Sequence, residues 1–174
     1  MASPAFLRAF QFTCGPKVEG GLSLDPEDNG NWTGGAKGKG ELRGTKYGIS
    51  AKQYPQMDIA ALRIEKARDI FERDYWLAMK CDLLPPRLAL CVFDTAVNMG
   101  LERAARVLQA ALDVAQDGVI GPHTLAAARV LDQNESCVAM LAERALAYAS
   151  FKQFKDYGRG WFRRCMRAAM EVGK

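Results

Sequence analysis

Three observations predict a mainly α fold of the α+β class, with a small β-hairpin or ordered Gly-rich loop after the first helix. Nine of the sixteen glycines lie between residues 20 and 50, which excludes a continuous helix there. From residue 57 onward apolar residues recur at helical spacing in almost every segment. Those segments are punctuated by Pro86, Gly100 and Pro122, where helices are expected to start and stop.

The opening "SPAFLRAF" places Ser3 to cap a helix whose first position is Pro4. A serine oxygen accepts an otherwise unpaired N–H, and proline has none to lose at that position. Gly20-Gly21 ends this helix, and Gly15-Pro16 is expected either to kink it or to set its last turn apart. "NWTGGAKGKGELRGTKYGIS", residues 31–50, has the glycine punctuation of a hairpin or a long ordered loop, and such loops are usually functional. In "MDIAALRIEKARDIFERDYWLAMK" the apolar residues Ile59, Leu62, Ala67, Ile70, Phe71 and Trp76 predict a helix capped by Asp58. Helices follow in "PRLALCVFDTAVNM", "LERAARVLQAALDV", "PHTLAAARVL" and "ESCVAMLAERALAYASFKQF", and "GWFRRCMRAAMEVG" forms the last one. A composition shift near residues 81–86 divides a front segment, 1–84, from a helical rear, 85–174, and short connections predict that they pack as one unit.

Composition narrows the chemistry. The chain has 174 residues, 49% of them hydrophobic and 25% charged, as in ordinary globular proteins. No apolar run approaches the roughly 18 residues of a membrane span, and the start lacks the pattern of a secretory leader. Five scattered cysteines without a CxxC read as buried free thiols of a reducing compartment. With His123 the only histidine, a zinc site or a His-activated nucleophile has little to draw on, so neither metal nor cofactor is expected. "TGGAKGKGELRGT" lacks the order of a phosphate-binding loop. The net charge of +4 is concentrated in Arg159, Arg163, Arg164, Arg167 and Lys174, which favours an anionic partner such as the cell envelope or is simply a solvated helix face. No motif reads a nucleic-acid groove, so nucleic acid is not the expected partner, and a monomer is expected.

"KVEGGLSLDPEDNG" carries the acid/base candidates. Glu19 belongs to the last turn of the first helix, where the helix dipole disfavours a carboxylate. Desolvation by neighbours such as Phe12, Val18 and Leu22 would raise its pKa further, as a general acid requires. Asp25 and Asp28 follow six and nine residues later on a loop able to fold back. Paired carboxylates of this kind hydrolyse glycosidic bonds, with retention at a separation of about 5 Å and inversion at roughly 6.5–9.5 Å. The alternative from the residues alone is a solvated acidic turn. In "FDTAVNMG", Asp94 and Asn98 share one face of an apolar helix, either satisfying each other or lining a sugar cleft. Tyr47 and Trp32 are candidates for stacking on sugars, whereas Trp76 and Trp161 are expected in cores.

"VEGG…DPED…GTKYGIS" resembles the signature of glycoside hydrolase family 108, the N-acetylmuramidases of phage lysis cassettes and secretion-activator proteins. "RDYWLAM", "CVFDTAVNMG" with "VLQAAL", and "DGVIGPHTL" with "YGRGWFRR" extend the likeness over nearly the whole chain, the last pair resembling a peptidoglycan-binding-type segment. The resemblance implies a lysozyme-like fold, a catalytic segment at 1–84 and hydrolysis of the β-1,4 bond between N-acetylmuramic acid and N-acetylglucosamine in peptidoglycan strands. It assigns Glu19 as the catalytic glutamate and Asp25 and Asp28 as the aspartates of the family's Asp-Pro-x-Asp turn. Analogy with tailed-phage lysozymes, whose aspartate follows the glutamate by nine residues with a threonine soon after, favours Asp28 as second carboxylate and Thr45 for positioning water. Leu22 stands where the family has an aromatic, and "NWTGGAKGKGELR" is inserted before Thr45, so the fold must bring Thr45 back. The implied setting is a phage endolysin made in the host cytoplasm and released through a holin pore. A lytic transglycosylase of the same fold and a non-catalytic wall-binding or secretion-accessory protein are the alternatives.

Overall fold

Ser3 does cap the first helix: its hydroxyl accepts the Phe6 N–H at 3.2 Å, and α1 runs Pro4–Val18. The computed structural model describes residues 2–18 and 21–174, with residues 16–18 described by their backbone alone. Gly15-Pro16 lies within α1, so the last turn is not set apart as a separate element. Two units divide the chain, one joining the residues up to Ala9 with Glu72–Lys174, the other spanning Phe10–Phe71. These boundaries fall after residues 9 and 71, and the composition shift near 81–86 lies inside the first unit.

The Phe10–Phe71 unit contains the glycine-rich region. Strands β1 (Thr45–Lys46) and β2 (Ile49–Ser50) pair antiparallel, Thr45 opposite Ser50 and Lys46 opposite Ile49. Tyr47 (φ 54°) and Gly48 (φ 83°) make the turn between them, both in the left-handed region that matches the twist of a two-residue hairpin. Single bridges join Ser23 to Thr45 and Trp32 to Leu42, so the loop is ordered by backbone pairing although its named strands are two residues long. Helix α2 is Ile64–Phe71, five residues shorter at its start than a helix capped by Asp58 would be. Asp58 accepts the Ala61 N–H in a turn, so its capping oxygen serves a turn before the helix. Ile59 and Leu62 are buried from that irregular segment, which is why their spacing imitated a helix. Phe10 packs against Phe71 at 5.7 Å between ring centres in this unit's core.

The other unit is helical. Glu72–Leu77 is a π-helical segment that buries Tyr75 and Trp76. Helix α3 (Pro86–Met99) has the predicted ends, with proline in its first turn and Gly100 at its close. Residues 88–96 of α3 are buried without a break, as expected of a central helix. Around it are α4 (Leu101–Ala111), α5 (Pro122–Val130), α6 (Gln133–Ala149) and α7 (Phe154–Val172). α7 starts six residues before the predicted "GWFRRCMRAAMEVG", passing through Gly158, where a Cβ would come within 2.7 Å of the Phe154 ring. Phe6, Trp76 and Phe93 meet edge to face at 5.6–5.8 Å, and the Trp76 indole N–H donates to Asp82 at 2.7 Å. All five cysteines are buried, as predicted. Among the described residues no helix is long and apolar enough to cross a membrane.

Candidate active site

The acidic turn is a hydrogen-bonded structure with fixed carboxylates. Asp25 Oδ1 accepts the Glu27 N–H at 2.9 Å, and Asp28 Oδ1 accepts the Gly30 N–H at 2.8 Å. Asp28 thereby caps a single 3₁₀ turn, Asn29–Asn31, using an extended backbone that short acidic residues favour at caps. Asn31 is fully buried beneath this turn. Its side-chain amide donates to the Asp25 carbonyl at 2.9 Å, and its main-chain carbonyl accepts the Arg43 and Gly44 N–H groups, both at 3.0 Å. The Trp32 indole N–H donates to the Pro26 carbonyl at 2.9 Å. Trp32, predicted as a sugar-stacking surface, is thus also a strut of the carboxylate turn. Asp25 and Asp28 are both exposed to solvent.

The same backbone pairing returns Thr45 to the turn. Ser23 and Thr45 exchange both main-chain hydrogen bonds, at 2.9 and 3.0 Å. Ser23 is four residues after Glu19 and two before Asp25 in the chain. The intervening residues close on themselves, Thr33 N–H to Glu41 and Gly34 N–H to Lys39, each at 3.0 Å. The insertion therefore forms its own loop and leaves the Ser23–Thr45 pairing intact. Gly44 makes this possible: it is buried at φ 84°, and a Cβ there would lie 2.3 Å from the Ser23 carbonyl oxygen. Tyr47 follows at the hairpin tip, its ring centre 5.3 Å from the Lys46 ammonium.

Asp94 and Asn98 belong to the helical unit and to a different kind of site. Asp94 is fully buried. It accepts from Arg144 Nη1 at 2.7 Å and from Arg164 Nη2 at 2.6 Å, with Arg164 Nε at 3.0 Å. Burial alone would push its pKa up; the two guanidinium groups outweigh this and hold the carboxyl below its ordinary value. Arg144 is equally buried, and it donates from Nε and Nη2 to the Tyr148 hydroxyl at 3.0 and 2.8 Å. That hydroxyl in turn donates to Asn98, and the Tyr148 ring stacks on Trp161 at 5.0 Å. Asp94 and Asn98 are thus linked through Arg144 and Tyr148, in a network that ties α3 to α6 and α7.

The structure brings Asp25, Asp28, Trp32 and Thr45 into one hydrogen-bonded body, with Tyr47 on the adjoining turn. Glu19, the predicted general acid, lies outside the described residues. Asn31 was missed by sequence reasoning, because an asparagine in a glycine-rich loop carries no periodicity signal; its place between two acidic positions and a tryptophan is the only local hint. His123 is exposed at the start of α5. Among the described residues no group of histidine, cysteine, aspartate or glutamate side chains is arranged to hold a metal ion.

Residues 15–100 match the family model of glycosyl hydrolase 108. A solved structure, described as that of Brucella abortus SagA, superposes with a TM-score of 0.79 at 27% sequence identity, covering 98% of this chain and 95% of that one. No curated protein matches. The architecture is therefore lysozyme-like α+β, as predicted.

Proposed function

We propose that this chain, which belongs to the glycosyl hydrolase 108 family through residues 15–100, hydrolyses the β-1,4 bond between N-acetylmuramic acid and N-acetylglucosamine in peptidoglycan. It is a glycoside hydrolase by that membership. The observation that carries the site assignment is the Ser23–Thr45 pairing, which gathers Asp25, Asp28 and Thr45 onto the segment that follows Glu19. In the reaction Glu19 gives its proton to the bridging oxygen as the bond to the muramic acid C1 breaks. Water adds its oxygen to C1 and loses a proton to Asp28, with Thr45 orienting the water and Asp25 the alternative second carboxylate. Tyr47 and Trp32 offer aromatic faces to the sugar. The finer setting is a phage endolysin, made in the host cytoplasm and released to the wall; five buried cysteines with no CxxC pair suit folding in a reducing compartment.

The test is digestion of purified murein followed by mass analysis of the products. Glu19→Gln is expected to lose at least ~100-fold in rate, the scale of removing a general acid. Products of the wild type should end in a free reducing muramic acid. A 1,6-anhydro end would replace hydrolysis by transglycosylation, and unchanged clearance by Glu19→Gln would leave only a wall-binding role.

A further inference from the structure

The outward face of α7 is used by nothing described so far. Its inward side is explained: Gly158, Cys165, Ala168 and Val172 are buried and Arg164 reaches Asp94. On the other side Phe162, Met166 and Met170, each four residues apart, are 40, 60 and 72% exposed. Alongside them run Lys155, Arg159, Arg163 and Arg167, also four residues apart and all exposed. Among the described residues none of these four cations is in an ion pair. The acids of the helix are Asp156 in the first turn and Glu171, which is paired with Arg8 and Lys174.

We infer that this face of α7 docks on a bilayer surface of anionic phospholipid, lying along it with Phe162, Met166 and Met170 at the acyl boundary and Arg159, Arg163 and Arg167 on the headgroup phosphates. The charge pattern selects an anionic partner, and the parallel apolar row selects a lipid surface over a soluble polyanion. A phosphate backbone gives exposed methionines nothing to bury in, whereas a headgroup layer receives both rows along the same line. Unbranched methionine side chains also adapt to a disordered apolar medium. α7 carries too many charges to cross a bilayer, so it lies on the surface.

Flotation of the full chain with vesicles tests this without murein, so its outcome is independent of the enzymatic reading. Vesicles of phosphatidylethanolamine and phosphatidylglycerol (about 3:1) should bind the chain, and phosphatidylcholine vesicles should bind it at least about 10-fold less. Arg159→Glu/Arg163→Glu/Arg167→Glu should lose about 100-fold or more in affinity, and raising the salt to about 0.5 M should weaken the wild type strongly. Met166→Gln/Met170→Gln should bind several-fold less at unchanged charge. All the substituted residues are exposed, and an unchanged circular dichroism spectrum verifies the fold of each variant. Equal binding to both vesicle types, or no effect of the arginine changes, overturns the proposal. So does full binding by the double methionine variant, which would make the face a purely electrostatic one. A dimer in sedimentation that the methionine changes dissolve, with no vesicle binding, would assign the face to a second copy instead.

Discussion

Two aspartate settings in this molecule show how differently one side chain is used. In the Phe10–Phe71 unit, Asp25 and Asp28 are exposed, and each lends one oxygen to a backbone N–H two residues on. In the helical unit, Asp94 is fully buried and spends both oxygens on guanidinium groups from helices 50 and 70 residues away. The first arrangement fixes a carboxylate while leaving it open to solvent. The second uses the carboxylate to join helices. Solvent access, and not residue type or spacing, separates a candidate for chemistry from a structural tie.

The largest expected effect breaks the second arrangement. Asp94→Asn keeps the shape and removes the charge, leaving Arg144 buried without a counter-ion. Breaking a buried pair from one side costs about 3–5 kcal/mol, and for a chain of this size that is a fall in Tm of about 10 °C. Calorimetry of Asp94→Asn checks it; a shift below about 3 °C would mean that the network contributes little. The pH dependence follows the same pairing. The folded pKa of Asp94 lies below its ordinary value, so the folded state binds this proton less readily than the unfolded chain. The stabilisation is present above the unfolded value of about 4 and is lost as pH falls through the lower folded value. Wild type should therefore lose Tm on acidification below pH ~4 more steeply than Asp94→Asn does.

A smaller loss is expected where the loop's backbone is crowded. Gly44→Ala puts a methyl group on the Ser23 carbonyl and forces alanine to φ 84°, a strain of about 1–3 kcal/mol. Because the Ser23–Thr45 pairing is what gives way, murein hydrolysis should fall along with stability. A variant of normal activity would show that Thr45 need not sit beside Ser23. Gly38→Ala is the control, since it shares the positive φ but a Cβ there meets nothing within 4 Å. It should lose stability through backbone strain while keeping activity.

What could be read from the sequence was local. The ends of α3 follow from Pro86 and Gly100, the start of α1 from Ser3-Pro4, and the hairpin from its glycines, because each depends on chemistry within a few residues. The start of α2 did not, since Ile59 and Leu62 are buried from turns that mimic a helical period. The early start of α7 was hidden by Gly158, whose missing side chain makes room for Phe154. Long-range partners were invisible for a different reason. Nothing near "FDTAVNMG" announces Arg144 or Arg164, so the sequence left Asp94 and Asn98 open between cleft and core. The carboxylate turn was recognisable from "DPED" and its resemblance, but its anchor Asn31 was not, because its role arises only when Arg43 and Gly44 return to it.

The smallest effect on stability is the one that separates chemistry from structure in the first arrangement. Asparagine caps a turn as well as aspartate does, because the same Oδ1 accepts the same N–H. Asp28→Asn and Asp25→Asn should therefore each shift stability by less than about 0.5 kcal/mol, whereas Asp28→Ala, which removes the cap on Gly30, should lose about 1 kcal/mol. Activity divides them differently. If Asp28 receives the proton from water, Asp28→Asn loses about 100-fold or more in murein hydrolysis with its turn intact. Asp25→Asn keeps the Glu27 contact and should retain most of the rate. The reverse ranking would transfer the role of second carboxylate to Asp25. Equal and small losses would mean that both carboxylates act only on the backbone of their own turn.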